Sequence, residues 1–231
     1  MRYIIDDEHL RVGVINNPSD STVLCFSGIG EIVRGVDIQS PEFVRASNSN
    51  GNAIFIIDKD RSWGNNFSLQ NLFNYLKPYT EHKQIYALGN SMGGFLAILA
   101  SKYIKISVVV AFVPQYSISK NQVPNEDRWE QYTKNILEFK YESLENCFLD
   151  HTQYYIVSGN DRKDRQHWER FPSGQNIHKL ILRQSNRPHQ AAQHLKDLNK
   201  MYPFINDCFC QKAPDQIVLD NDLTDLIDII V

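Results

Sequence analysis

Cysteine is scarce in this chain, four in 231 residues, and Cys25, Cys147, Cys208 and Cys210 show no paired metal-ligand spacing. That sets aside a disulfide framework and leaves reduced, mostly buried thiols as the expectation. Cys208 and Cys210 flank a single phenylalanine, but two thiolates without a second pair do not fill a tetrahedral metal site. A basic excess is missing too. The formal net charge is -3 with both signs mixed along the chain, which removes the electrostatic footprint of a nucleic-acid binder. No apolar run approaches the roughly 20 residues of a membrane span. The opening residues, MRYIIDDEHLRVGVI, carry acids where a secretory signal needs its apolar centre. The expectation is a soluble, unexported, cytoplasmic protein. Internal repeats and low-complexity tracts are absent as well, so the sequence justifies no second domain.

What is present is enough apolar material, 42% of residues, to bury one sizeable core. Short runs rich in β-branched and aromatic residues recur as TVLCFSG, AIFIID, QIYALGN, ISVVVAFVP, YYIVSG and HKLILRQ, each closed by a turn-forming or polar cluster. Between them, PEFVRAS, SLQNLFNYLKPY, MGGFLAILASKY, DRQHWERF and HQAAQHLKDLNKMY have helical spacing. Strand alternating with helix predicts an α/β fold, a mainly parallel sheet covered on both faces, with chemistry gathered at the carboxyl ends of the strands. RYIID and RVGVI suggest an antiparallel hairpin at one edge. The charged, partly helical stretch from about 115 to 151 interrupts the alternation and is read as a small helical lid on a single domain spanning 1–231. DQIVLDNDLTDLIDII near the end suggests a last strand plus a short helix.

One turn carries chemistry. Gly89-Asn90-Ser91-Met92-Gly93 matches G-x-S-x-G between a predicted strand and a predicted helix, a context that holds the serine in a strained turn with its hydroxyl exposed. A serine at its ordinary pKa is a poor nucleophile, so it needs a base, an orienting acid and oxyanion donors. His189 fits the base, because it follows the strand KLILRQ and opens the helix QAAQHLKDL. His82, at the far end of the elbow strand, and His151, His167, His178 and His194 lie in less suitable positions. The acid is expected in the loop after YYIVSG, where Asp161 and Asp164 compete. Asp161 stands at the right offset from the strand end but is equally a helix N-cap. Asp164, one turn on, could reach His189 while Asp161 caps; it is narrowly preferred and Asp161 stays as the alternative. The Met92 amide at the helix start is the first expected oxyanion donor, and Ile29 or Gly28 in the FSGIG loop supplies the second. Arg61 and Trp63, after the strand AIFII, and Gln115 and Tyr116, at the start of the lid, are candidate substrate contacts, with Trp129 in the lid expected to be core. None of this requires a metal or organic cofactor.

Through GNSMGG, FSGIG, the acid loop SGNDRKD and the RPH histidine, the chain resembles the α/β-hydrolase superfamily over nearly its whole length. More loosely, FSG, DxxRSW, GxSMGG, FxPQxS and DxxH resemble hydrolase-fold proteins found with bacterial surface-polysaccharide biosynthesis. The resemblance implies an acyl-enzyme serine esterase, and an ester such as an O-acetyl group on a glycan or sugar precursor. Ser27 stands where the superfamily usually has the histidine of an HG pair. An acyltransferase using the same three residues, and a non-catalytic binding protein on the same fold, are the rival readings.

Overall fold

A computed structural model describes residues 1–33, 36–46, 51–183 and 189–230, with side chains 31–37 left aside. Eleven strands are present among the described residues. They are β1 (Arg2–Asp6), β2 (Leu10–Ile15), β3 (Ser21–Phe26), β4 (Glu31–Val33), β5 (Val36–Ile38), β6 (Asn52–Asp58), β7 (Gln84–Asn90), β8 (Val108–Phe112), β9 (Gln153–Gly159), β10 (Ile177–Leu182) and β11 (Ile227–Ile230). Nine of them form one sheet in the order β1-β2-β6-β3-β7-β8-β9-β10-β11. Strands β6, β3, β7, β8, β9 and β10 run parallel, while β1 and β2 at one edge and β11 at the other are antiparallel. The mainly parallel α/β expectation and the N-terminal hairpin are both met. The small β4-β5 sheet, which follows β3, has no counterpart in the sequence reading.

The helices are α1 (Leu69–Thr80), α2 (Met92–Ala100), α3 (Glu130–Thr133), α4 (Arg162–Trp168), α5 (Ala191–Asp197), α6 (Met201–Phe209) and α7 (Pro214–Asp220). Alternate residues of each central strand feed two cores. Leu24, Phe26, Ile54 and Ile56 pack with α1, α2 and part of the segment 115–151 on one face. Val23, Cys25, Phe55 and Tyr155 pack with α5, α6 and α7 on the other. This period-2 division is what makes the runs nearly continuous in hydrophobicity, and each fully buried Leu or Phe contributes about 1.5–3 kcal/mol. Every residue of α2 is buried, so the elbow helix is fixed at the middle of the sheet.

The structure corrects several expectations. HQAAQHLKDLNKMY forms two helices, because Asn199 takes a left-handed φ of 58° and breaks the run. The last stretch holds the short helix and the last strand expected of it, in that order, with β11 completing the sheet edge. The segment 115–151 is mostly irregular and holds only the four-residue α3, so it is not a helical cap. PEFVRAS extends into residues outside the described set; within it Phe43 has φ 57°. Cys208 is buried on α6 and Cys210 is exposed beyond it. Among the described residues no helix is long and apolar enough to cross a membrane.

Candidate active site

The carboxyl ends of β3, β6, β7, β8 and β9 lie side by side, so the loops beginning at Ser27, Lys59, Ser91, Val113 and Asn160 share one rim of the sheet. His189 stands just ahead of α5; residues 184–188, which include the Arg-Pro before it, are outside the described set.

Ser91 occupies φ 56° and ψ -119°, a conformation that costs of order 1–3 kcal/mol in a residue bearing a Cβ. Its amide donates to the Phe112 carbonyl at 2.8 Å, tying the turn to β8. The flanking glycines are steric necessities. A Cβ on Gly89 would overlap the Gly93 carbonyl, and one on Gly93 would overlap the Phe26 carbonyl, both backbone atoms that cannot swing aside. Gly93→Ala is expected to destabilise the fold by about 3 kcal/mol, lowering the melting temperature by roughly 6–12 °C. Calorimetry showing an unchanged transition would refute this packing account.

Ser91 Oγ is 2.7 Å from His189 Nε2, and His189 Nδ1 is 2.6 Å from Asp164 Oδ1. Asp161 does the other job foreseen for it, accepting from the Lys163 and Asp164 amides as the N-cap of α4. The two carboxylates are thus divided by position, Asp164 on the imidazole and Asp161 on the helix end. Burial alone would raise the Asp164 carboxyl, but the hydrogen bond and charge of His189, and then those of Arg128, hold it well below the usual carboxylate range. Asp161 is raised, first by burial and then by the neighbouring Asp164 charge.

Gln115 and Trp63 lie behind the serine, not against an open cavity. Both are 0% exposed. The Trp63 indole donates to Gln115 Oε1 at 3.0 Å, and Gln115 Nε2 donates to Ser91 Oγ at 3.0 Å. Tyr116 is also buried, packed edge-on against Phe171 at 5.8 Å. Arg61 is half-buried; its Nε donates to the Ile29 carbonyl at 3.1 Å and its guanidinium lies over Tyr132. These four side chains therefore brace the site. Trp129 bridges it, with ring centroids 5.3 Å from His189 and 6.4 Å from Trp63.

At the oxyanion side, Met92 opens α2, where the first amides have no intrahelical acceptor. The Ile29 amide has no acceptor among the described residues. Gly28 differs from the expectation that it could serve, since its amide donates to Glu42 Oε1 at 2.9 Å. Burial pushes the Glu42 carboxyl up to about 7, against the opposing hydrogen bonds from Gly28 and Asn90. Asp58, buried under the next loop, is likewise pushed up to about 6 despite donors from Gly64 and Ser62. An acid raised in the folded state binds more protons there than in the unfolded chain, so stability falls as pH climbs from the unfolded value toward the folded one. The melting temperature is expected to drop between about pH 4 and pH 7, and Glu42→Gln to flatten the upper part of that decline. A variant with the wild-type slope would remove Glu42 from the effect.

A cavity of about 530 Å³ opens beside the elbow, lined by Gly30, Glu42, Asn90, Ala192, Lys196 and Tyr202 among others. The sequence reading did not single out Glu42, nor Glu126 and Arg128 in the segment 115–151, and it set aside His167 on α4, which lies near Asp164. Asp164 and His167 are i and i+3 on one helix, a spacing that places both on one face and was available as a signal. Among the described residues no cluster of His, Cys, Asp and Glu is arranged to hold a metal.

No family model and no curated protein matches the chain in sequence. Solved structures match it in shape. The capsule O-acetyltransferase of Neisseria meningitidis serogroup A superposes with a TM-score of 0.61 at 14% identity, covering 85% of this chain and 92% of that one. An α/β superfamily hydrolase from Oenococcus oeni PSU-1 gives 0.56 at 12% identity over 90% and 99%. MenH from S. aureus gives 0.51 at 14% identity over 93% and 99%. At these identities the likeness is one of fold, and it agrees with the strand order, the elbow and the helices on both faces: the chain has the α/β-hydrolase fold.

Proposed function

We propose that this protein is a serine esterase that cleaves an acyl ester, such as an O-acetyl group on a glycan or sugar precursor, through an acyl-enzyme. The observation that carries the reading is the continuous contact from Ser91 Oγ through His189 to Asp164, at 2.7 and 2.6 Å. His189 takes the serine proton as Oγ attacks the acyl carbonyl, and returns it to the departing alcohol. Asp164 holds the Nδ1 proton and stabilises the imidazolium. The Met92 and Ile29 amides receive the oxyanion. Water then attacks the acyl-enzyme with His189 as base, releasing acid and serine.

A fluorophosphonate probe is expected to label the folded protein once, on the peptide carrying Ser91, as read by mass spectrometry. Folded protein that no fluorophosphonate labels would favour the non-catalytic binding reading. Transfer to an acceptor alcohol is the second reading. It is favoured by a buried nucleophile, Ser91 being 4% exposed beneath the lid, and by the likeness to a capsule O-acetyltransferase. Product analysis with p-nitrophenyl acetate and an added sugar acceptor distinguishes the two, and hydrolysis is expected to exceed transfer.

A further inference from the structure

Asp164 Oδ1 accepts two hydrogen bonds. One comes from His189 Nδ1; the other comes from Arg128 Nη1 at 2.7 Å, reaching across from the lid. Arg128 is fixed from behind, because its Nε and Nη2 grip the Glu126 carboxylate at 3.0 and 2.6 Å. Glu126 is itself 4% exposed and accepts from His167 Nε2 at 2.7 Å. The Tyr116 amide donates to His167 Nδ1 at 3.1 Å, which leaves the His167 proton on Nε2, facing Glu126. Tyr116 adjoins Gln115, whose amide meets Ser91 Oγ. The contacts therefore close a ring: Ser91, Gln115, Tyr116, His167, Glu126, Arg128, Asp164, His189 and Ser91 again. The lid is pinned at the same place a second time, by Lys163 Nζ on the Asn125 carbonyl and on Asp127. Trp129 lies between, with Arg128 over its ring at 5.4 Å and His189 beside it.

We propose that Arg128 is a positioning residue of the Ser91-His189-Asp164 site: its guanidinium shares the Asp164 oxygen that meets His189 Nδ1, and so sets how much negative charge that carboxylate offers the imidazole. The proposal rests on the reading of those three residues as a working triad. A guanidinium on the same carboxylate oxygen partly neutralises it, leaving less negative charge to favour the imidazolium. Without Arg128, Asp164 would face His189 with its full charge. His189 and Arg128 meet Oδ1, while Asp161 and His167 stand beside it on α4. Glu126 stands behind Arg128 with its carboxyl held at about 2, where burial, which would raise it, is overcome by His167 and Arg128. Lys163 is drawn away to Asp127.

The test is the NMR titration of the His189 ring in the full chain, which needs no turnover. In Arg128→Gln its midpoint is expected to move to higher pH by about one unit, a tenfold change in proton affinity, and Arg128→Lys is expected to restore most of the wild-type value. The acidic limb of kcat/KM against pH should move with it. A residue that only held the lid in place would lower activity without moving either midpoint. If Arg128→Gln misfolds by stranding Glu126, the Glu126→Gln/Arg128→Met pair removes both charges, and a smaller upward shift is expected. Unmoved midpoints in folded variants overturn the proposal. Loss of the triad reading would show separately, as Ser91→Ala protein that still turns over ester.

Discussion

Ser91→Ala is expected to lower ester turnover on the order of 10⁶-fold and to abolish fluorophosphonate labelling, while the protein still melts cooperatively near the wild-type temperature. The size follows from the loss of the only atom that can form the acyl-enzyme; what remains is binding and oxyanion donors acting on water. The fold should persist because alanine keeps the Cβ and the backbone of the turn, whose φ of 56° was strained before the change. Two hydrogen bonds are lost, from Gln115 Nε2 to Oγ and between Oγ and His189 Nε2, a cost of about 1 kcal/mol each in a protein whose elbow is held by backbone and glycine contacts. Turnover of a short-chain p-nitrophenyl ester and a thermal melt, made on the same preparation, check both halves. Persistent turnover in a folded variant would take Ser91 out of the chemistry.

The second large effect separates the two aspartates. Asp164→Asn is expected to cut turnover about 10⁴-fold, because an amide at this position offers no charge to the imidazolium and can present its NH₂ to His189, selecting the wrong tautomer. Asparagine there also faces the Arg128 guanidinium, so the variant loses the ion pair at 2.7 Å as well as the contact to His189. Asp161→Asn should cost little, since asparagine is as good an N-cap as aspartate and its side-chain oxygen can still accept from the Lys163 and Asp164 amides. Rates for the two variants at saturating substrate decide the matter. Equal, small losses would leave neither carboxylate as the acid.

The features readable from sequence were the local ones. An elbow is written in five consecutive residues because its glycines answer close approaches at the turn, Gly89 against the Gly93 carbonyl and Gly93 against the Phe26 carbonyl of the neighbouring strand. Ser91, Asp164 and His189 come together because each stands beyond its own strand, and parallel strands deliver successive loops to one rim. The division of labour at α4 was open for a physical reason: Asp161 and Asp164 are both good residues for the first turn of a helix, and only a partner 25 positions away, His189, separates them. Arg128 and Glu126 lay beyond reach because they meet Asp164 and His167 across 36 and 41 positions, from a segment with almost no regular structure. Trp63 and Gln115 are placed by the sequence at the right end of the sheet, as candidate substrate contacts. The structure turns them inward, Trp63 at φ 51° and Gln115 on the chain just past the left-handed Val113.

That inward turn governs where one hydrogen atom points. The Trp63 indole can only donate, so the atom of Gln115 that meets it must be the amide oxygen, and the amide nitrogen is thereby turned toward Ser91. With a donor already on one lone pair of Oγ, the serine hydroxyl keeps its own hydrogen for His189 Nε2. Asp164 holds the other ring nitrogen as a donor, leaving Nε2 free to accept. A tryptophan with no exposed surface thus orients the amide nitrogen that meets Ser91 Oγ at 3.0 Å and His189 Nε2 at 3.3 Å, so a buried indole two contacts away biases where the Ser91 hydrogen points.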